Sequence, residues 1–225
     1  MRKLFHYPLC PFSRQIRLLL REYDVNTALA REDYWLRREE FLCLNPAGEV
    51  PLLIEEDNLV IADIYNLLEY IILQYDKGLF FPHDKDKIDD IVEIRRLISW
   101  LNNKLYREVT KYVINEKLIR LFKKLGAPKS ELLRAAKQNL QHHLQYFTYL
   151  LKQKEYLAGD YLTICDFVAA AHISVLDYFN EINWSSYERL KHWYSLLKSR
   201  PSFRPLLDET IPGYPAPKLY EMLDF

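Results

Sequence analysis

The apolar pattern of the chain changes near residue 80, and this change is the strongest constraint on its fold. Before it, short strand-like and helix-like runs alternate in the order β-α-β-α-β-β-α, which is typical of a small α/β unit. After it, apolar residues recur only at helical spacing. The predicted elements of the first part are 3–6, 13–23, 26–30, 37–44, 52–54, 59–61 and 63–74. The expected fold class is an α/β domain followed by an all-α domain.

The same pattern divides the chain into four segments: an α/β domain (1–77), a linker (78–90), a helical domain (91–210) and a tail (211–225). Charged residues, Gly78 and Pro82 mark the linker, and Phe80 and Phe81 are expected to pin it. Two apolar stripes, 91–112 and 133–151, predict long helices, and shorter ones are expected from 163, near 187 and from 201. The prolines of the tail, Pro212, Pro215 and Pro217, predict an extended segment rather than a helix.

Composition excludes several classes of function. The 31 Lys and Arg residues balance the 31 Asp and Glu residues, so no net positive charge attracts nucleic acid or anionic lipid. No run of about 18 apolar residues is present, and the first ten residues contain too short an apolar run for a signal peptide. The three cysteines are widely spaced and odd in number, which favours a reducing compartment. We expect a cytoplasmic protein without a nucleic-acid or membrane partner.

Cys10 is the candidate nucleophile, because it immediately precedes a predicted helix in the run CPFS. At a helix N-terminus, exposed amides and the positive end of the helix dipole stabilise a thiolate, so a lowered pKa is expected. The alternative is a small, inert packing residue. Ser13 stands where a second thiol would allow an internal disulfide, so only monothiol exchange is open to Cys10. Ser13 is the second catalytic candidate, and capping of the helix is its alternative role.

Other conspicuous residues favour structural roles. Thr163 and Asp166 have the spacing of a capping box at the start of a helix. The pair at 142–143 has no cysteine or carboxylate at ligand spacing, so no metal site is expected. Cys43 and Cys165 fall inside predicted packed elements and are expected to act as small hydrophobic residues.

Three runs carry a family resemblance: LFHYPLCPFSRQIRLLL, NPAGEVPLL with an acidic helix start after it, and GDYLTICDF. With these runs the chain resembles the glutathione S-transferase superfamily over nearly its whole length. The resemblance implies a thioredoxin-like N-terminal domain, an all-helical C-terminal domain, a homodimer and glutathione as cosubstrate. It also implies that the peptide bond between Val50 and Pro51 is cis, with the backbone of Val50 facing the bound thiol peptide.

By the same resemblance, Cys10 meets the glutathione sulfur, while the residues that bind glutathione are Val50, Pro51, Asp63 and Ile64. Tyr106 and Tyr112 are expected to line an apolar pocket in the helical domain. The implied activity is that of a glutathione transferase, or of a monothiol thioltransferase, acting on a small electrophile or a mixed disulfide.

Two positions depart from the family pattern in a way that weakens glutathione binding. Members that bind glutathione usually have Glu-Ser where this chain has Asp63-Ile64, and isoleucine has no hydroxyl to donate. A lost hydrogen bond to a charged group costs roughly 1.5 to 3 kcal/mol, or about ten- to hundredfold in affinity. Glu49, where the family commonly has Lys or Gln, is expected to repel the carboxylates of the tripeptide. His6 stands roughly where other classes have their catalytic tyrosine, and Tyr7 lies one position after it.

A second hypothesis is a binding protein without catalysis. The ending PGYPAPKLYEMLDF and the runs SRQIRLLL and FLCLNPAGEVP are similar to an alphaproteobacterial subgroup of the superfamily. In that subgroup the fold serves cell division by binding the tubulin-like polymer FtsZ. A proline-stiffened tail that ends in Leu223, Asp224 and Phe225 is expected to dock on such a partner. The alternative is that the tail packs over its own helical domain.

Overall fold

The computed structural model describes residues 1–223 of the chain. Asp224 and Phe225, which the sequence assigns to the docking end of the tail, lie outside the described residues. Within the described range, no helix combines the length and the apolar content needed to cross a membrane.

The N-terminal domain is a four-stranded mixed sheet with helices on both faces. Its strands, in chain order, are β1 (Lys3–His6), β2 (Ala28–Arg31), β3 (Leu52–Ile54) and β4 (Val60–Ala62). The spatial order is β2-β1-β3-β4, with β1 parallel to β2 and the other two pairs antiparallel. Its helices are α1 (Pro11–Glu22), α2 (Glu39–Leu44) and α3 (Ile64–Gln74). The predicted thioredoxin-like order of elements is confirmed.

Local sequence explains where α1 and α2 begin. Pro11 occupies the first turn of α1, where its missing N–H is not needed. Helix α2 begins at Glu39 rather than at residue 37, because a single 3₁₀ turn over Tyr34–Leu36 comes before it. That turn ends at Arg37, whose φ of 50° is incompatible with the helix predicted there.

The C-terminal domain is entirely helical, as predicted. Its helices are α4 (Ile88–Ser99), α5 (Lys111–Ile114), α6 (Arg120–Phe122), α7 (Ser130–Gln153), α8 (Ile164–Tyr178), α9 (Glu188–Lys198) and α10 (Arg204–Leu207). Helices α4 to α6 are one continuous helix, in which wide i→i+5 turns run over Trp100–Thr110 and Asn115–Ile119. The first helix begins at Ile88, inside the segment predicted as linker.

Helix α8 is the centre of the molecule, and every residue in it is buried. Its start is the predicted capping box, in which the Asp166 carboxylate accepts from the backbone N–H of Thr163 at 2.9 Å. Phe80 of the linker is buried and its ring lies 4.9 Å from that of Phe167. Helix α1 packs against α8, so the residues that follow Cys10 lie at the junction of the two domains.

The tail differs from the extended segment predicted for it. Residues Lys218–Glu221 form one helical turn, α11, and Tyr220 within it is buried. No proline follows Pro217, so nothing in this stretch prevents helical backbone. The Tyr178 hydroxyl donates to the carbonyl of Tyr214 at 2.7 Å, and Lys198 Nζ donates to the carbonyl of Met222 at 2.8 Å. The described part of the tail therefore packs on its own helical domain.

Candidate functional site

A cleft with a volume of about 600 Å³ lies between the two domains. The start of α1, the segment before β3, the start of α3 and the wide turns of Trp100–Thr110 form its walls. Five of the six predicted site residues line it, namely Cys10, Val50, Pro51, Asp63 and Ile64. The fold thus brings together side chains and backbone from three separate parts of the N-terminal domain.

The Cys10 thiol is buried rather than exposed at the helix end. Cys10 is the N-cap residue of α1 and is 7% exposed, and its sulfur lies 3.7 Å from the carbonyl oxygen of Val50. Burial raises the pKa of the thiol, although hydrogen bonds from Ser13 and from the N–H of Phe12 act in the opposite direction. The lowered pKa expected from the helix N-terminus is wrong, because desolvation of the thiolate outweighs the nearby amides.

Ser13 does not line the cleft and does not cap α1. It is fully buried, and its Oγ accepts from the backbone N–H of Tyr7 at 3.2 Å. Since Cys10 already occupies the N-cap position, Ser13 is the third residue of the helix. Its hydroxyl supports the turn and contacts the thiol, so the capping role considered for it is wrong.

The segment before β3 carries the cis bond expected from the family motif. The peptide bond between Val50 and Pro51 is cis. Asn45 holds this segment in place, because its Nδ2 donates to the carbonyl of Glu49 at 2.8 Å. Gly48 has a φ of 67°, and a Cβ there would lie 3.0 Å from a methyl carbon of Leu42, so glycine is required at this turn.

Asp63 uses its carboxylate to cap α3. Its Oδ1 accepts from the backbone N–H groups of Tyr65 at 2.9 Å and Asn66 at 3.2 Å. The amides at this helix start, which would otherwise attract an anion, already face a negative charge. Ile64 is the first residue of the helix and adds no polar side-chain group. A carboxylate of glutathione would therefore meet no hydroxyl donor here.

Aromatic rings form the side of the cleft nearest Cys10. The rings of Phe12 and Tyr106 lie 4.5 Å apart, and Tyr34 lines the same side. Burial raises the pKa of both tyrosines, and the charge of Glu49 contributes in the same direction. Glu49 lines the same cavity, and its negative charge makes this end of the cleft unfavourable for an anionic ligand.

Two family models match the chain on either side of the cleft. The model described as glutathione S-transferase, N-terminal domain, matches residues 9–72, and the model described as glutathione S-transferase, C-terminal domain, matches residues 113–208. This chain belongs to the glutathione S-transferase superfamily. The first domain contributes Cys10, Val50, Pro51 and Asp63 to the cleft, whereas the wide turns that complete it precede the matched part of the second domain.

One curated relative and two solved structures within the superfamily are similar over the whole chain. FtsZ-localized protein A of Caulobacter vibrioides is 38% identical, covering 100% of this chain and 98% of the relative. The crystal structure of a glutathione S-transferase from Rhodospirillum rubrum F11 has a TM-score of 0.95 at 40% identity, covering 100% of both chains. The structure of FzlA from C. crescentus has a TM-score of 0.95 at 38% identity, covering 100% of this chain and 99% of that one.

Several cleft residues were missed by the sequence analysis. They share a polar or aromatic side chain and positions far from Cys10 in sequence, and they are Tyr34, Asn45, Asn102, Asn103 and Arg107. The available signal was the Asn102-Asn103 pair inside an otherwise apolar helical stripe. The Oδ1 of Asn102 accepts from Gln15 at 2.7 Å and contacts His172 Nε2 at 3.0 Å. Its Nδ2 is buried without a partner in the described part of the chain.

The remaining candidates lie outside the cleft. Tyr112, expected to line the pocket, is 38% exposed and does not contribute to the cavity wall. Cys43, expected to be packed, is exposed, because it lies on the outer side of the short α2. Cys165 is buried in α8 as predicted. Tyr7 is fully buried, and its ring packs edge-on against Trp35 at 4.8 Å.

The histidine pair has a structural environment. His142 is exposed, whereas His143 is buried, accepts from Trp100 Nε1 at 3.0 Å and contacts Glu108 Oε2 at 3.0 Å. Burial lowers the pKa of His143, so its neutral form is favoured. Among residues 1–223, no group of three or more His, Cys, Asp or Glu side chains is placed to hold a metal ion.

Proposed function

We propose that this glutathione S-transferase-fold protein is a partner of the cell-division polymer FtsZ. The observation that carries the proposal is the extent of similarity to FtsZ-localized protein A. That match covers 100% of the chain and so includes the tail, whereas the family model of the helical domain ends at residue 208. The cleft supports the same conclusion, because Ile64 and Glu49 are unfavourable for glutathione.

The tail provides a surface suited to a protein partner. Buried Tyr220 anchors it, while Leu219 (56% exposed), Met222 (49%) and Leu223 (40%) keep apolar side chains in solvent. A segment that is already held on the protein loses little conformational entropy when a partner covers it. Exposed apolar side chains beside a fixed anchor therefore form a surface that a partner can bind with little loss of conformational entropy.

Cosedimentation with FtsZ filaments tests this proposal. Deletion of residues 213–225 is a poor variant, because it removes Tyr220 and with it a hydrogen bond to the buried Arg14. A double variant, Leu219→Ser with Leu223→Ser, changes only exposed side chains of the tail. Leu29→Ser is the matched control, since Leu29 is half exposed on the edge strand β2 of the other domain.

We expect the unaltered protein and the Leu29→Ser control to pellet with GTP-assembled FtsZ, and the double variant to pellet much less. Absence of the unaltered protein from the pellet would overturn the FtsZ proposal. Equal pelleting of the double variant would mean that the protein binds FtsZ through a surface other than the tail.

The second candidate function is monothiol thioltransferase activity with glutathione. The observation that favours it is the position of Cys10 in the cleft, with its sulfur 3.7 Å from the Val50 carbonyl and beside the cis-proline Pro51. In this function Cys10 would exchange with a mixed disulfide, and Ser13 would support the turn that carries the thiol. The raised pKa of Cys10 and the charge of Glu49 both predict a slow exchange.

Calorimetric titration of reduced glutathione into the protein, with Cys10→Ser in parallel, separates the two candidates. Binding in the micromolar to low-millimolar range, together with exchange activity that is lost in Cys10→Ser, would support the enzyme. We expect no detectable heat at several millimolar glutathione, because of the charges that the cleft presents to the tripeptide.

A homodimer and a cytoplasmic location complete the proposal. Apolar side chains remain exposed on β4, α3 and α4, including Val60, Leu73 and Val92. These neighbouring elements offer a surface that a second copy of the chain would cover. Light scattering after size exclusion measures the mass directly, and a monomer at micromolar concentration would contradict the dimer.

A further inference from the structure

At the domain junction, the side chain of Arg14, one turn after Cys10 in α1, has a partner for each of its three nitrogens. It is fully buried. Its Nε donates to the carbonyl of Pro8 at 2.7 Å, and its Nη1 donates to the hydroxyls of Ser174 at 2.7 Å and Tyr220 at 2.9 Å. Its Nη2 pairs with Glu209 Oε2 at 3.3 Å. One guanidinium thus joins four separate parts of the chain.

Two of these four parts belong to the end of the chain. Glu209 follows α10, and its carboxylate pairs with both Arg14 and Arg17. Tyr220 lies in the tail turn α11, and its hydroxyl also donates to the carbonyl of Leu206 at 3.0 Å. Ser174 lies in α8, and its hydrogen bond fixes the guanidinium against the helical domain.

The fourth part is the turn that carries the candidate nucleophile. Pro8 lies between Tyr7 and Cys10, and the backbone N–H of Cys10 donates to the carbonyl of Tyr7 at 3.0 Å. Arg14 therefore holds the turn from one side, and the hydroxyl of Ser13 holds it from the other through the Tyr7 N–H. Arg14 is thus hydrogen-bonded both to this turn and to the tail.

We infer that Arg14 couples the tail to the cleft, so that an event at either one changes the other. A guanidinium is planar, and its donors have a fixed relative geometry. When Tyr220 or Glu209 moves, Arg14 loses a partner in a buried site and must reorient or reach water, which loosens its bond to Pro8. Because such coupling is reciprocal, a ligand that shifts the Cys10 turn must also change how firmly the tail is held.

This coupling does not depend on the identity of any partner. A protein that binds the tail and displaces Tyr220 would open the turn around Cys10, and a molecule in the cleft would tighten or release the tail. Arg14 is a positioning residue in this arrangement, since it contacts the turn and not the cavity. Cys10 serves as the reporter, because a thiol that is only 7% exposed reacts faster when its turn opens.

The test is alkylation of Cys10 by iodoacetamide in a Cys43→Ser background, with each site quantified by peptide mass spectrometry. Only Cys10 and Cys165 remain, and Cys165 in α8 reports on opening of the helical domain. Tyr220→Phe removes the acceptor for Arg14 and leaves the ring. Tyr214→Phe is the matched control, since it removes a hydroxyl from the same tail without any contact to Arg14.

Tyr220→Phe is expected to raise the alkylation rate of Cys10 about fivefold, with Cys165 unchanged and Tyr214→Phe indistinguishable from the parent. Glu209→Gln, which keeps the shape of the side chain, is expected to act in the same direction. An unchanged Cys10 rate in both Tyr220→Phe and Glu209→Gln would overturn the coupling. So would an equal rise at Cys10 and Cys165, since the tail would then act on global stability alone.

Discussion

The cleft side and the tail side of helix α1 differ in how completely their polar groups are hydrogen-bonded. At its start, the cleft leaves Asn102 Nδ2 without a partner among the described residues, and the Cys10 sulfur makes a long contact of 3.7 Å with the Val50 carbonyl. One turn later, Arg14 is fully buried with a partner for each of its three nitrogens. Unpaired buried polar groups are costly unless something binds them, whereas a fully bonded group holds its surroundings in place. The cleft side is therefore suited to binding and releasing ligands. The tail side is suited to holding the end of the chain in one position.

The largest test of this contrast is Arg14→Ala. Removing one partner of a buried ion pair costs about 3 to 5 kcal/mol, so the free energy of unfolding is expected to fall by that amount in urea titrations. Cys10→Ser, on the cleft side, is expected to change it by less than about 1 kcal/mol. Arg21→Ala is the control on the same helix, because Arg21 is exposed and its side chain makes no hydrogen bond or ion pair among residues 1–223. A loss below 1 kcal/mol for Arg14→Ala would mean that the tail side is as loosely held as the cleft.

A second test asks whether two substitutions in the cleft increase its affinity for glutathione. Ile64→Ser restores a hydroxyl at the start of α3, and Glu49→Gln removes a negative charge from the aromatic wall. Together they are expected to tighten glutathione binding about ten- to hundredfold, measured by calorimetry. Glu40→Gln, which removes an exposed charge outside the cavity wall, is the matched control. Unchanged affinity in the double variant would show that these two residues do not limit binding.

A third test uses the pH dependence of stability at the junction of the two sides. Burial lowers the pKa of His172 from 6.5 to about 3. Between these values the unfolded chain binds a proton that the folded protein excludes, so stability falls as the pH falls. The contribution is about 1.4 kcal/mol per pH unit. His172→Gln is expected to reduce the slope of unfolding free energy between about pH 6 and pH 4, whereas His142→Gln at the exposed neighbour of His143 leaves it unchanged. Identical slopes would place the protonation elsewhere.

Local signals in the sequence predicted most of the fold. The capping box at Thr163 and Asp166 depends on residues three apart, and the cis bond at Pro51 follows from a short family motif. Alternation and helical spacing located the strands and the long helices, because both patterns are set by neighbours in the chain. Bounds differed where a local turn intervened, as at Tyr34–Leu36.

The electrostatics of the site could not be predicted in the same way. The pKa of Cys10 depends on how deeply the fold buries it, and two of the aromatic residues around it, Tyr34 and Tyr106, come from distant parts of the chain. The role of Arg14 was also hidden, since its partners lie up to 206 positions away. The role of a charged side chain at such a position is set by residues that are distant in the sequence, so it is visible only in the folded structure.

The shared carboxylate of Glu209 has a consequence for how this protein can change over generations. Because it neutralises Arg14 and Arg17 together, the three positions cannot vary independently. Loss of Glu209 first would leave two buried cations facing each other, whereas loss of Arg17 first leaves a balanced pair. Substitution at Arg17 should therefore be tolerated before substitution at Glu209, and lineages that have lost the carboxylate should already have lost an arginine.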